Sequence, residues 1–151
     1  MAAATLHLAD AAASEAVGAR LAALVRAGDV VTLAGPLGAG KTSIARGLLA
    51  ALGLVGEAPS PSFAIVQPYE PPEVRLPVSH VDLYRLDDPD EVAELGLEDA
   101  RGDSLLLVEW PERAGAGAWP DALALTLAPL AGGGRALTVV VPPAWERRWP
   151  T

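Results

Sequence analysis

The chain runs from DVVTLA, an apolar run fit for a buried strand, through GPLGAGKT into the helical period of KTSIARGLLAALG, and few local folds accommodate that order. GPLGAGKT, Gly35 to Thr42, satisfies the pattern G-x-x-x-x-G-K-[ST] in full. Glycines at 35, 38 and 40 let the backbone curl so that successive N–H groups converge on phosphate oxygens, and the helix starting near Lys41 adds its positive N-terminal end. Gly35, Pro36, Leu37, Gly38, Ala39, Gly40, Lys41, Thr42 and Ser43 therefore form a candidate phosphate cradle. In it Lys41 reaches the β and γ phosphates and the Thr42 hydroxyl ligates Mg²⁺.

Such a cradle needs a carboxylate at the end of a neighbouring strand to hold the cation, and often a second acid for the attacking water. SLLLVE delivers Glu109 and PVSHVD delivers Asp82. Each alone reads equally well as an ordinary strand-end acid, and the presence of both beside a phosphate loop favours function. Trp110, next to Glu109, reads either as core rim or as a neighbour of the nucleotide. Ser60 and Ser62, around Pro61, read either as a nucleotide-sensing switch or as a plain loop. Lys41 is the only lysine in the chain, so the N-K-x-D loop with which GTPases hold guanine has no lysine left, and ATP is favoured. The acidic run from Asp87 to Asp99 has Val92, Leu95 and Leu97 between its acids and reads as a solvated helix face rather than a metal site.

The remaining pattern places these elements in one fold. Ser14 can cap a helix with Val17, Leu21, Leu24 and Val25 on one face. SFAIVQPYE and LPVSHVDLYRL read as strands, DPDEVAELGLEDA as an acidic helix, and ALALTLAPLAGGGRALTVVVPP as two strands joined by a glycine-rich turn. The expectation is a three-layer α/β domain of P-loop NTPase type, with a mixed sheet, the DVVTLA strand central and a C-terminal antiparallel hairpin. It covers residues 1–142, with an irregular tail over 143–151. At 151 residues, 51% hydrophobic, the chain is one domain in size. A net charge of −8 speaks against a basic surface for DNA or for direct RNA binding. There is no cysteine, and His7 and His80 are too few for a histidine metal site. No signal or membrane-span pattern is present, so the expected location is cytoplasmic.

Four segments, GPLGAGKT, SPSFAIVQPYE, HVDLYRLDDPDEVAELGLED and LLLVEWPER, resemble the bacterial TsaE (YjeE) family in order and spacing. That family is the P-loop ATPase component of tRNA threonylcarbamoyladenosine (t6A) synthesis. The resemblance implies a protein that binds ATP and Mg²⁺, hydrolyses ATP weakly alone and faster on the TsaD–TsaB complex, and is required for t6A modification of tRNAs reading ANN codons. It implies contact with tRNA only through that complex, and no transfer of the threonylcarbamoyl group by this chain itself. Carried over by position, Thr42 and Glu109 are the Mg²⁺ ligands, Asp82 activates or places the attacking water, and Lys41 acts on the phosphates. Ser60 to Phe63 is the switch-like loop, Trp110 is important for activity, Asp10 and Ala11 pass near the adenine, and Arg135 belongs to a Gly-Arg pair near the C-terminal nucleotide contacts. The chain departs from the family at Pro36, where Asp is usual, and at Ser62, where Thr is common. The rival readings are a small P-loop kinase and a docking module that uses ATP only to set a conformation.

Overall fold

The computed structural model describes residues 2–56, 65–115 and 117–149; Ser60 to Phe63 lie outside these. Among the described residues, seven strands form one sheet: β1 (Ala2–Leu8), β2 (Val30–Ala34), β3 (Val66–Tyr69), β4 (Val78–Asp82), β5 (Leu105–Glu109), β6 (Leu123–Pro129) and β7 (Arg135–Val141). Their order across the sheet is β1-β7-β6-β2-β5-β4-β3, so β2, the DVVTLA strand, is central as expected. β6, β2, β5 and β4 run parallel, whereas β3 and the pair β7 and β1 pair antiparallel at the two edges. The sheet is mixed, and the expected hairpin is β6 with β7.

β1 has no counterpart in the sequence reading. AAATLHL is too rich in alanine to read as a strand, because the β preference of a segment is mostly a matter of what its side chains pack against. It is extended because β7 offers it a ladder from Ala2↔Val141 to Leu8↔Arg135. The helix that follows, α1 (Ala11–Ala22), starts earlier than the sequence suggested. Its cap is Asp10, whose carboxylate accepts the Ala13 N–H at 2.9 Å, and Ser14 lies inside the helix, fully buried.

α2 (Lys41–Ala51) follows the glycine-rich loop and packs closely on α1. A Cβ on Gly18 would stand 2.6 Å from Leu48 N, and one on Gly47 would stand 2.7 Å from Glu15 Cα, so the two helices meet backbone against backbone. The acidic segment forms two short helices, α3 (Pro89–Ala93) and α4 (Leu97–Ala100), rather than one. Gly96, at φ 70°, separates them. Their acids are exposed while Val92 and Leu97 are buried, which is the solvated face expected.

Strand residues alternate between two cores, as a side-chain period of two requires. Val31, Leu33, Leu105 and Leu107 join Leu21, Ile44 and Leu48 of α1 and α2 in one cluster. Val30, Leu106 and Val108 join Leu83, Val92 and Leu97 in the other. Each fully buried leucine contributes about 1.5–3 kcal/mol. After Val141 a 3-10 turn, Pro143–Trp145, sets Trp145 into the first core, and Arg148 clamps Asp29 at 2.6 Å and the Leu24 carbonyl at 2.9 Å.

Candidate functional site

Parallel strands end at the same edge of a sheet, and the loops beyond those ends meet there. The register Leu33↔Glu109 and Asp82↔Glu109 brings the exits of β2, β5 and β4 together. A cavity of about 320 Å³ opens at this edge, lined by Leu37 to Ser43, Asp82, Glu109, Trp110 and Arg135.

Gly40 caps α2 in the left-handed region at φ 105°, and no side chain caps the helix N-terminus. Lys41 folds back across the loop and donates to the carbonyls of Gly35 and, at 2.9 Å, Pro36. These two residues thus begin the loop and hold its lysine without lining the cavity. Burial pushes the Lys41 pKa below the usual 10.5, while the charges of Glu109, Asp82 and Glu112 pull it back up.

Glu109 is 2% exposed and Asp82 5%. The Thr42 hydroxyl lies 3.3 Å from Glu109 Oε1 and 3.5 Å from Oε2. Asp82 Oδ1 accepts the Tyr84 N–H at 2.9 Å. Hydroxyl and carboxylate oxygens are hard donors, and three of them are fewer than Mg²⁺ needs, which suits a cation that keeps waters and shares phosphate oxygens. Among the described residues no trio of His, Cys, Asp and Glu is arranged as a self-sufficient metal cage. Thr42 and Glu109 therefore fit Mg²⁺ held jointly with a phosphate ligand, with Asp82 lining the same cavity.

The sequence analysis weighs His80 only as a metal ligand and gives it no place beside the strand-end acids. It is 1% exposed, and its Nε2 lies 2.7 Å from Glu109 Oε2. A signal was present: His80 is two residues before Asp82 on one strand, so the two share a face.

Trp110 adopts φ 60°, a left-handed conformation that turns its ring over the Lys41 ammonium at 4.2 Å and against Tyr84 at 4.8 Å between centroids. Arg135 packs against Gly40 across the cavity wall, and among the described residues its Nη1 is buried without a partner. Asp10 and Ala11 are exposed and do not line the cavity. They follow the end of β1, where Leu8 pairs with Arg135.

A family profile described as "Threonylcarbamoyl adenosine biosynthesis protein TsaE" matches residues 8–135. A Streptomyces coelicolor protein named tRNA threonylcarbamoyladenosine biosynthesis protein TsaE is 46% identical over 97 residues, which are 64% of this chain and 66% of that one. The Bacillus subtilis protein of the same name is 40% identical over 98 residues, 64% of this chain and 60% of that one. The chain thus matches less than two thirds of the length of either relative. The crystal structure of Bacillus subtilis YdiB superposes with a TM-score of 0.77 at 27% identity, covering 91% of this chain and 84% of that chain. A profile match that takes in the glycine-rich loop, both strand-end acids and Arg135 assigns this chain to the TsaE family.

Proposed function

We propose that this chain is the Mg²⁺-dependent ATPase of the t6A machinery, a three-layer P-loop NTPase that acts on the TsaD–TsaB complex in the cytoplasm and does not itself transfer the threonylcarbamoyl group. The observation that carries this reading is the meeting of Lys41, Thr42, Glu109 and Asp82 in one cavity at the uncapped start of α2. Guanine recognition through a second lysine is excluded, since Lys41 is the only one. No helix among the described residues is long and apolar enough to cross a membrane.

In this reading the N–H groups of the loop and the start of α2 receive the phosphates. Lys41 exchanges its two carbonyl acceptors for phosphate oxygens, and an anion beside it offsets the burial that lowers its pKa. Thr42 and Glu109 hold the cation. When bound, Mg²⁺ neutralises charge on the β and γ phosphates and favours their separation. Asp82, on the strand beside Glu109, orients the attacking water and accepts its proton. Arg135, which lines the same cavity beside Gly40, offers its guanidinium to the nucleotide, and Asp10 and Ala11 pass near the adenine. Pro36 stands where an Asp is usual in the family; it removes that carboxylate but keeps the carbonyl that Lys41 uses in the free protein.

ATP turnover by the purified chain, measured alone and with TsaD–TsaB and tRNA, tests the reading. Slow hydrolysis alone and stimulation in the complete mixture are expected. Phosphate transfer to a small acceptor faster than hydrolysis would make the protein a kinase instead. Undiminished t6A output over many cycles by an Asp82→Ala chain that no longer hydrolyses ATP would reduce it to a docking module.

A further inference from the structure

We propose that His80 is a positioning residue for Glu109, holding one carboxylate oxygen so that the other is presented beside Thr42 to a divalent cation. This rests on the ATP and Mg²⁺ reading above. An ionised carboxylate only accepts hydrogen bonds, so in the 2.7 Å contact the imidazole Nε2–H donates to Glu109 Oε2. The bond leaves Oε1 as the oxygen nearer to the Thr42 hydroxyl, at 3.3 Å against 3.5 Å.

Among the described residues, Glu109 is the only hydrogen-bond partner of the His80 ring. The ring is buried on a strand whose neighbours on either side are Gln67 and Leu107, and among the described residues Nδ1 has no hydrogen-bond partner. A buried polar ring is costly unless bonded, and an apolar side chain would fill the space at lower cost. The bond to Glu109 is what offsets that cost. It has a consequence for binding, because a glutamate with three free torsions loses considerable entropy when a cation immobilises it. With Oε2 already held from β4, that loss is taken on folding, and the carboxylate meets the cation in place.

The test measures affinity for the imido analogue of ATP by calorimetry, once in excess Mg²⁺ and once in EDTA, for the wild type and for His80→Gln, His80→Asn and His80→Leu. The ratio of the two affinities isolates the cation. His80→Gln carries an amide N–H to nearly the position of Nε2, whereas His80→Asn is polar but too short, and His80→Leu cannot donate. The ratio should fall about 10–100-fold in the Asn and Leu variants, the usual effect of removing a hydrogen-bond partner from a metal ligand, and stay near the wild-type value in His80→Gln. Affinity in EDTA should be alike in all four. A general loss of packing would lower both affinities together and would not distinguish Gln from Leu. An unchanged ratio in His80→Leu, or equal falls in Gln and Leu, overturns the assignment of His80 alone. A wild type whose affinity is indifferent to Mg²⁺ overturns the underlying reading as well.

Discussion

The Lys41 ammonium stands 4.2 Å from the centre of the Trp110 ring, and Trp110 reaches it from a left-handed backbone at φ 60°. A side chain in that conformation costs about 1–2 kcal/mol that glycine does not incur, and the contact with the lysine returns about 0.5–2 kcal/mol. The ring is thus held under backbone strain beside the phosphate loop.

This arrangement sets an unusual order of stabilities at one position. Trp110→Ala loses the contacts to Lys41 and Tyr84 and keeps the strain, while Trp110→Gly loses the same contacts and relieves it. After allowance for the more flexible unfolded chain, the glycine variant should be more stable than the alanine variant by roughly 0.5–1 kcal/mol. Urea denaturation of both variants measures this, and a more stable alanine variant would show that the backbone at Trp110 is not strained.

Lys41 predicts an alkaline limit to nucleotide affinity. Its pKa in the folded protein lies below the 10.5 of a free lysine, with burial as the leading cause. Phosphate binding needs the charged form, so triphosphate affinity should fall as pH rises through a point below 10.5, with proton uptake on binding in that window. Lys41→Arg keeps its charge throughout and should lack the limb. For folding the sign is opposite: below the lowered pKa the buried charge costs stability, and the cost is relieved as pH rises toward 10.5, where the unfolded chain still holds the proton. Calorimetry in buffers of different ionisation enthalpy reads the uptake directly.

The acids at the strand ends should separate by function. Thr42→Ala and Glu109→Ala should weaken nucleotide affinity in Mg²⁺ more than in EDTA if each is the cation ligand proposed above. Asp82→Asn should bind nucleotide nearly as the wild type does and lose about 10²–10⁴-fold in turnover, the usual contribution of a positioned proton acceptor. Full turnover in Asp82→Asn would remove Asp82 from the chemistry.

Gly47 gives a prediction in which two effects oppose each other. Helix propensity alone favours Gly47→Ala by about 1 kcal/mol. The new Cβ would stand 2.7 Å from Glu15 Cα, and forcing α1 from α2 costs about 1–3 kcal/mol. The steric effect wins, so Gly47→Ala and Gly18→Ala should both unfold at lower urea concentration than the wild type. A gain in stability would mean the helices can part without loss.

Much of this site is written in short stretches of sequence. GPLGAGKT encodes its own loop, because glycines at fixed spacing and a following helix are local properties, and the apolar runs ending in Asp82 and Glu109 announce strands with acids at their exits. What depends on distant partners was less legible. Ser14 read as a cap because its type suits one, yet Asp10 takes the cap and Ser14 is enclosed by packing. The acidic segment carried a helical pattern, but Gly96 divides it.

The sequence by itself determined the phosphate loop, the central strand that feeds it, the C-terminal hairpin and the two acids at strand ends, since composition and periodicity within a dozen residues suffice for each. Only the tertiary structure decided that β1 exists, that Trp110 lies over Lys41, and that His80 meets Glu109. The reason is physical: a ladder, a ring contact and a buried polar pair need groups from separate strands at angstrom distances, and the parallel register of β4 and β5 that supplies them is a property of the assembled sheet.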